Sequence, residues 1–271
     1  MESFKMNIPE KKEEARIAAN HLTAPGAKPI IVSLDTETKP MGFEHFLPRG
    51  HRGDAYSIVQ SADVRNVNYY ARYKNPSLIR RILGKEDFLN AGGSTYVLSP
   101  IDKSNKYSER LEVCTSLVVA GTDRETGDNI SFMTHQNPAQ FLHDKKDKFV
   151  SDLNKKLTTL KKRCVPGSID AVIVGGNYVD SPSSQNEKFN YKKNYLSSIS
   201  LLSGEVKRVV GFEPVVVNGP KTQARLEDDA YYDNNERRLY FVRPRGQINS
   251  ETRDFTKSDL EEGADLLKKV A

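Results

Sequence analysis

At 271 residues, with 37% hydrophobic and 28% charged side chains, the chain has the length and composition to bury a sizeable globular core. No stretch approaches the roughly 18 apolar residues of a membrane span, and Met1 to Asn20 lacks the apolar core of a cleaved signal, so the sequence predicts a soluble chain, cytoplasmic or secreted as an effector without such a signal. The net charge of +5 does not predict a nucleic-acid partner, because Lys145-Lys146-Asp147-Lys148 and Lys161-Lys162-Arg163 read as a solvated helix face and there is no Trp.

Residues 10 to 22 read as a charged amphipathic helix, stopped at Thr23-Ala24-Pro25-Gly26. A strand follows at Pro29 to Leu34, then an aperiodic loop over 37 to 60. Leu78, Ile79, Ile82 and Leu83 are at helical spacing after Pro76, predicting a helix to Leu89. Gly92-Gly93 marks a break, taken as the boundary between an N-terminal region of unknown type (1–92) and the main domain (93–271).

Short strands are predicted at Thr95 to Leu98, Cys114 to Ala120 and Ile130 to His135, the last two joined as a hairpin by the polar segment Gly121 to Asn129. A long helix, Pro138 to Lys162, carries Phe141, Leu142, Phe149, Leu153, Leu157 and Leu160 as one apolar stripe. Ala171 to Val174 is continuously apolar, the mark of a strand covered on both faces. A helix over Tyr191 to Val210, a strand at Pro214 to Val217, a hairpin with arms Asp229 to Tyr232 and Arg238 to Val242, and a closing helix from Ser258 to Val270 complete the chain. Ser258 and Glu261 are read as the capping box of that helix. This order argues for an α/β chain of α+β type, with a mixed, mainly antiparallel sheet and long helices packed on one face.

The chain has two cysteines, Cys114 and Cys164, too few for a disulfide framework or a four-thiolate metal site. Cysteine chemistry here is therefore thiol chemistry. A hairpin turn centred between Arg124 and Glu125 would set Cys114 directly opposite His135, on one face, with Cβ atoms ~5 Å apart. An imidazole in that place takes the thiol proton and leaves a thiolate able to attack a carbonyl. The competing structural reading makes Cys114 a small buried apolar residue and His135 a surface residue, and a one-residue shift of the turn is expected to put them on opposite faces. Cys164, with no His near it in sequence, reads as structural. His21, His45, His51 and His143 read as isolated.

The segment Ser108 to Pro138, the helix after it, Ile173-Val174-Gly175-Gly176, the next helix, Val217-Asn218-Gly219 and the final hairpin together resemble the chemotaxis glutamine deamidase family (CheD-like). That fold is shared with the catalytic domains of bacterial cytotoxic necrotizing factors. The resemblance covers about residues 110 to 243 and is one of pattern. It implies a hydrolase that converts the side-chain amide of a glutamine in a partner protein to glutamate, with no cofactor. Carried over, Cys114 is the nucleophile, His135 the general base, and Ser108 the hydroxyl that orients the histidine. The sequence departs from the family pattern at Glu112-Val113, where the family sets Gly and a small residue. On an extended segment Glu112 shares the face of Cys114, where its carboxylate would raise the thiol pKa.

Two other readings remain open. Ile30 to Thr38 contains Asp35-Thr36-Glu37, which resembles the first motif of the metal-dependent DEDD-type 3′–5′ exonucleases, although no second or third acidic motif accompanies it. The other is a binding module on the same scaffold whose Cys-His pair has decayed.

Overall fold

A computed structural model describes residues 14–15, 20–36, 64–66, 89–90, 95–108, 111, 113–176, 190–218, 228–242 and 255–269. The strands are β1 (Glu14–Ala15), β2 (Ile31–Thr36), β3 (Val64–Asn66), β4 (Leu89–Asn90), β5 (Tyr96–Leu98), β6 (Asn105–Ser108), β7 (Thr115–Thr122), β8 (Asn129–Gln136), β9 (Asp170–Gly175), β10 (Val215–Asn218), β11 (Asp229–Asp233) and β12 (Arg238–Val242). The helices are α1 (Pro138–Asp144), α2 (Lys146–Arg163), α3 (Tyr191–Val210) and α4 (Lys257–Lys269). The fold is α+β with mixed sheets, and none of the helices among the described residues is long and apolar enough to cross a membrane.

Among the described residues there are two six-stranded sheets rather than one, ordered β1-β2-β12-β11-β6-β3 and β10-β9-β7-β8-β5-β4. Alternation along the strands of the second sheet explains how it is covered on both sides. Leu117, Val119, Phe132, Ala171 and Ile173 join Phe149, Leu153, Leu157, Leu196 and Leu202 in a core beneath the helices. The intervening residues Val118, Ala120, Met133, Val172 and Val174 meet Val32, Ala230, Tyr232, Leu239 and Phe241 of the first sheet in a second core. The continuous apolar run of β9 is the sequence trace of this arrangement, since each of its side chains has a buried face to fill.

Strands from the N-terminal region enter both sheets: β2 runs parallel beside β12, β3 parallel beside β6, and β4 antiparallel beside β5. The helix expected over 10 to 22 is corrected at its centre, where Glu14–Ala15 pairs with Val32 and Ser33 as a strand; most of the remaining span lies outside the described residues. The helix expected over 76 to 89 lies outside them too, save that Leu89 opens β4.

The single helix expected from Pro138 to Lys162 is two, interrupted at Lys145 (φ −140°, ψ 18°). In an unbroken helix Phe141 and Phe149 would be separated by about 12 Å of rise. The break brings their rings to 4.4 Å, so both fill one site in the core. The cap of α4 is Thr256, not Ser258. Asp259 N–H donates to Thr256 Oγ1 at 3.3 Å and Thr256 N–H donates to Asp259 Oδ2 at 2.8 Å, a capping box two residues earlier than expected. β6 has no counterpart in the sequence reading, because Asn105-Lys106-Tyr107-Ser108 carries no apolar alternation. Its Lys106 is buried with the ammonium held by Asp102 Oδ1 (2.9 Å), the Ser104 carbonyl (2.8 Å) and Ser131 Oγ (3.1 Å).

Candidate active site

The β7–β8 hairpin pairs Thr115 with Gln136, Val118 with Met133 and Thr122 with Asn129, so its turn is centred between Glu125 and Thr126. That is one residue beyond the expected centre. Asp123 Oδ1 accepts from Glu125 N–H at 2.9 Å, and Gly127, at φ +76°, completes the reversal. Moving the centre by one residue moves every partner by two, so parity is kept and the expectation that such a shift separates Cys114 from His135 does not hold. Ser116, not Cys114, stands across from His135. Cys114, just ahead of β7, is its diagonal neighbour on the same face, at a separation that is typically about 7–8 Å with the Cβ atoms somewhat closer.

That face looks onto the core between the sheets. Cys114 is partly buried against this core, and His135 is 7% exposed. Ser108 ends β6 in the opposite sheet and is fully buried; its Oγ lies 2.7 Å from His135 Nδ1. The bond admits two tautomers. When Nδ1–H donates to Ser108 Oγ, Nε2 carries the lone pair and can take a proton. The structure thus brings Ser108 and His135 into contact and puts Cys114 on the face they share.

The backbone of Cys114 is shaped by the end of β9. Thr115 pairs with Gly175, which has φ +81°, and a Cβ there would lie 2.9 Å from the Cys114 carbonyl oxygen and 3.0 Å from Leu111 Cβ. A side chain at Gly176, φ +86°, would enter the Tyr195 ring. Paired glycines therefore end the strand and let β9 approach the cysteine segment closely.

Behind this face, toward the helices, lies a polar contact that the sequence reading missed. Gln136 Nε2 donates to Thr115 Oγ1 at 2.8 Å, and Thr115 Oγ1 lies 3.2 Å from Ser198 Oγ of α3. All three side chains are buried. The signal for it was the hairpin register, which sets Thr115 opposite Gln136 once the turn is placed.

Cys164 is 1% exposed and its Sγ fills the space beside Gly121, where a Cβ would come within 2.6 Å. Burial and then the nearby Asp123 carboxylate push its thiol up to about 12. His21, expected to be isolated, is not: its Nε2 lies 3.0 Å from Asp170 Oδ1 and its ring stacks on Phe212 at 3.8 Å between centroids. Glu112 and Glu37, like His45 and His51, lie outside the described residues, while Asp35 is in β2. Among the described residues no three His, Cys, Asp or Glu side chains gather as a metal site. Compared with protein-family models and with curated proteins, the chain matches none.

Proposed function

We propose that this chain is a thiol amidohydrolase whose substrate is the side-chain amide of a glutamine in a partner protein, with Cys114 as nucleophile, His135 as general base and acid, and Ser108 as the residue that orients the imidazole. The observation that carries this reading is the 2.7 Å contact between Ser108 Oγ and His135 Nδ1, on the face that Cys114 shares. A hydroxyl accepting from Nδ1–H fixes the ring and keeps Nε2 as the basic nitrogen.

His135 takes the proton of the Cys114 thiol, and the thiolate attacks the amide carbon to give a tetrahedral oxyanion. Collapse of that intermediate breaks the C–N bond as the imidazolium returns the proton to nitrogen, so ammonia leaves and a thioester remains. Water, deprotonated by His135, adds to the thioester; expulsion of the thiolate yields glutamate. The steps consume one water and need no metal or redox partner.

The test is a protein extract incubated with the full chain and read by mass spectrometry for glutamine-to-glutamate conversion and by coupled assay for ammonia. Conversion at defined sites is expected with the native chain and absent with Cys114→Ser. Equal conversion by both would overturn the reading.

A further inference from the structure

The seam between β7 and β8 is interrupted beside His135. Pairing runs from Thr115 with Gln136 to Val118 with Met133 and skips the two positions between, although both pairs belong to one register, so no residue is inserted and the gap is not a bulge. The outer edges of the same residues are regular. Ser116 and Leu117 pair with Val174 and Ile173 of β9, and His135 and Thr134 pair with Val97 and Leu98 of β5. Two hydroxyls occupy the gap: Leu117 N–H donates to Thr134 Oγ1 at 2.9 Å, and Ser116 Oγ donates to the Thr134 carbonyl at 2.5 Å. In an unbroken antiparallel ladder that N–H and that carbonyl would bond to each other. Ser116 and Thr134 are both wholly buried. Hydroxyls of Ser and Thr compete with the backbone for ladder partners, and disruptions of a ladder beside active sites re-aim side chains. The Thr134 carbonyl belongs to the peptide group that leads into His135, so Ser116 holds the backbone from which the imidazole projects.

We propose that Ser116 and Thr134 are positioning residues whose hydroxyls part β7 from β8 at His135 and so hold the imidazole where it meets Ser108 Oγ and the face of Cys114. This deepens the amidohydrolase reading and rests on it. In a closed ladder, opposed residues of a non-hydrogen-bonded pair such as Ser116 and His135 approach to about 4.5 Å between Cα atoms. With the outer edges held by β5 and β9, the added separation lies between these two residues, beside the diagonal on which Cys114 faces the imidazole. Removing both hydroxyls lets Leu117 N–H and the Thr134 carbonyl bond directly, and His135 is drawn toward β7 and away from its seat against Ser108.

Couplings between nitrogen and carbonyl carbon across hydrogen bonds, measured by NMR on the full chain, read the seam directly. The native chain is expected to show none between Leu117 N–H and the Thr134 carbonyl, and a double variant, Ser116→Ala with Thr134→Val, is expected to show one as the ladder closes. Alkylation of Cys114 near neutral pH should then slow by roughly tenfold or more, since misplacing a group by about 1 Å costs on the order of 10²-fold. Its pH profile should move toward that of an ordinary thiol. The urea midpoint is expected to stay near the native one, because the freed N–H and carbonyl satisfy each other. Thr134→Ser, which keeps the hydroxyl, should retain the native profile. A closed seam with an unmoved profile overturns the role of the two hydroxyls and leaves the amidohydrolase reading standing, as does a native chain that already shows the coupling. Should the double variant not fold, Ser116→Ala alone decides, because an unmoved profile in it overturns the proposal. Cys114 alkylating equally in the native chain and in His135→Ala overturns the amidohydrolase reading and, with it, the role assigned to Ser116 and Thr134.

Discussion

Ser108 Oγ and His135 Nδ1 lie 2.7 Å apart although β6 and β8 belong to different sheets, so one buried hydrogen bond ties the two halves of the sandwich together at the site. Ser108→Ala leaves a buried ring nitrogen without that contact. The expected cost is about 1–3 kcal/mol in a urea unfolding series. Alkylation of Cys114 should slow as well, because the imidazole loses its orienting contact.

The two thiols should be separable by reagent. Cys164, buried and with its thiol pushed up to about 12, is expected to resist a disulfide-exchange reagent at neutral pH, while Cys114, partly exposed, reacts. One equivalent should be released from the folded chain and a second only on adding denaturant. Two equivalents released at equal rates from the folded chain would contradict this assignment.

The same group gives a pH dependence with a definite sign. The folded-state value of Cys164 is raised above the roughly 8.5 of an unfolded cysteine, so the unfolded chain loses this proton first. Its stabilising contribution is whole below about pH 8.5 and is lost as the pH rises toward about 12. Thermal unfolding followed across that window should fall more steeply for the native chain than for Cys164→Ala.

Gly175→Ala should disturb the site and the fold together. The added Cβ meets a backbone atom, the Cys114 carbonyl oxygen, at 2.9 Å, and the position has φ +81°. Strain of this kind costs on the order of 1–3 kcal/mol. The nucleophile segment must move to relieve it, so a lowered urea midpoint should be accompanied by slower Cys114 alkylation. A lowered midpoint with unchanged alkylation would show that the glycine serves only the strand end.

What the sequence disclosed about the site was parity. The hairpin was legible from β-branched runs around a polar link, and the face shared by Cys114 and His135 survived a misplaced turn because moving a turn centre by one residue moves partners by two. The exact opposition did not survive, since the turn is set by Asp123 and Gly127, whose hydrogen bonds and positive φ are not visible in an alternation pattern. The second sheet was hidden for a related reason. β6 is polar in sequence and buried in space, made possible by the ligation of the Lys106 ammonium by Asp102, Ser104 and Ser131, residues from two separate segments. The strand β2 pairs with β12 across some two hundred residues, a contact that no local pattern encodes. Ser108 was reached only through the family resemblance, and its contact with His135 depends on how the two sheets stack.

The central claim is that His135 activates the Cys114 thiol, and the pH dependence of Cys114 alkylation by iodoacetamide, native chain against His135→Ala, tests it most directly. A paired thiol titrates below the ~8.5 of ordinary cysteine, so the native chain should alkylate rapidly near neutral pH. Loss of the base should slow that reaction by on the order of 10²-fold or more and move the profile toward that of an ordinary thiol. Identical rates and identical profiles in the two proteins would contradict the account.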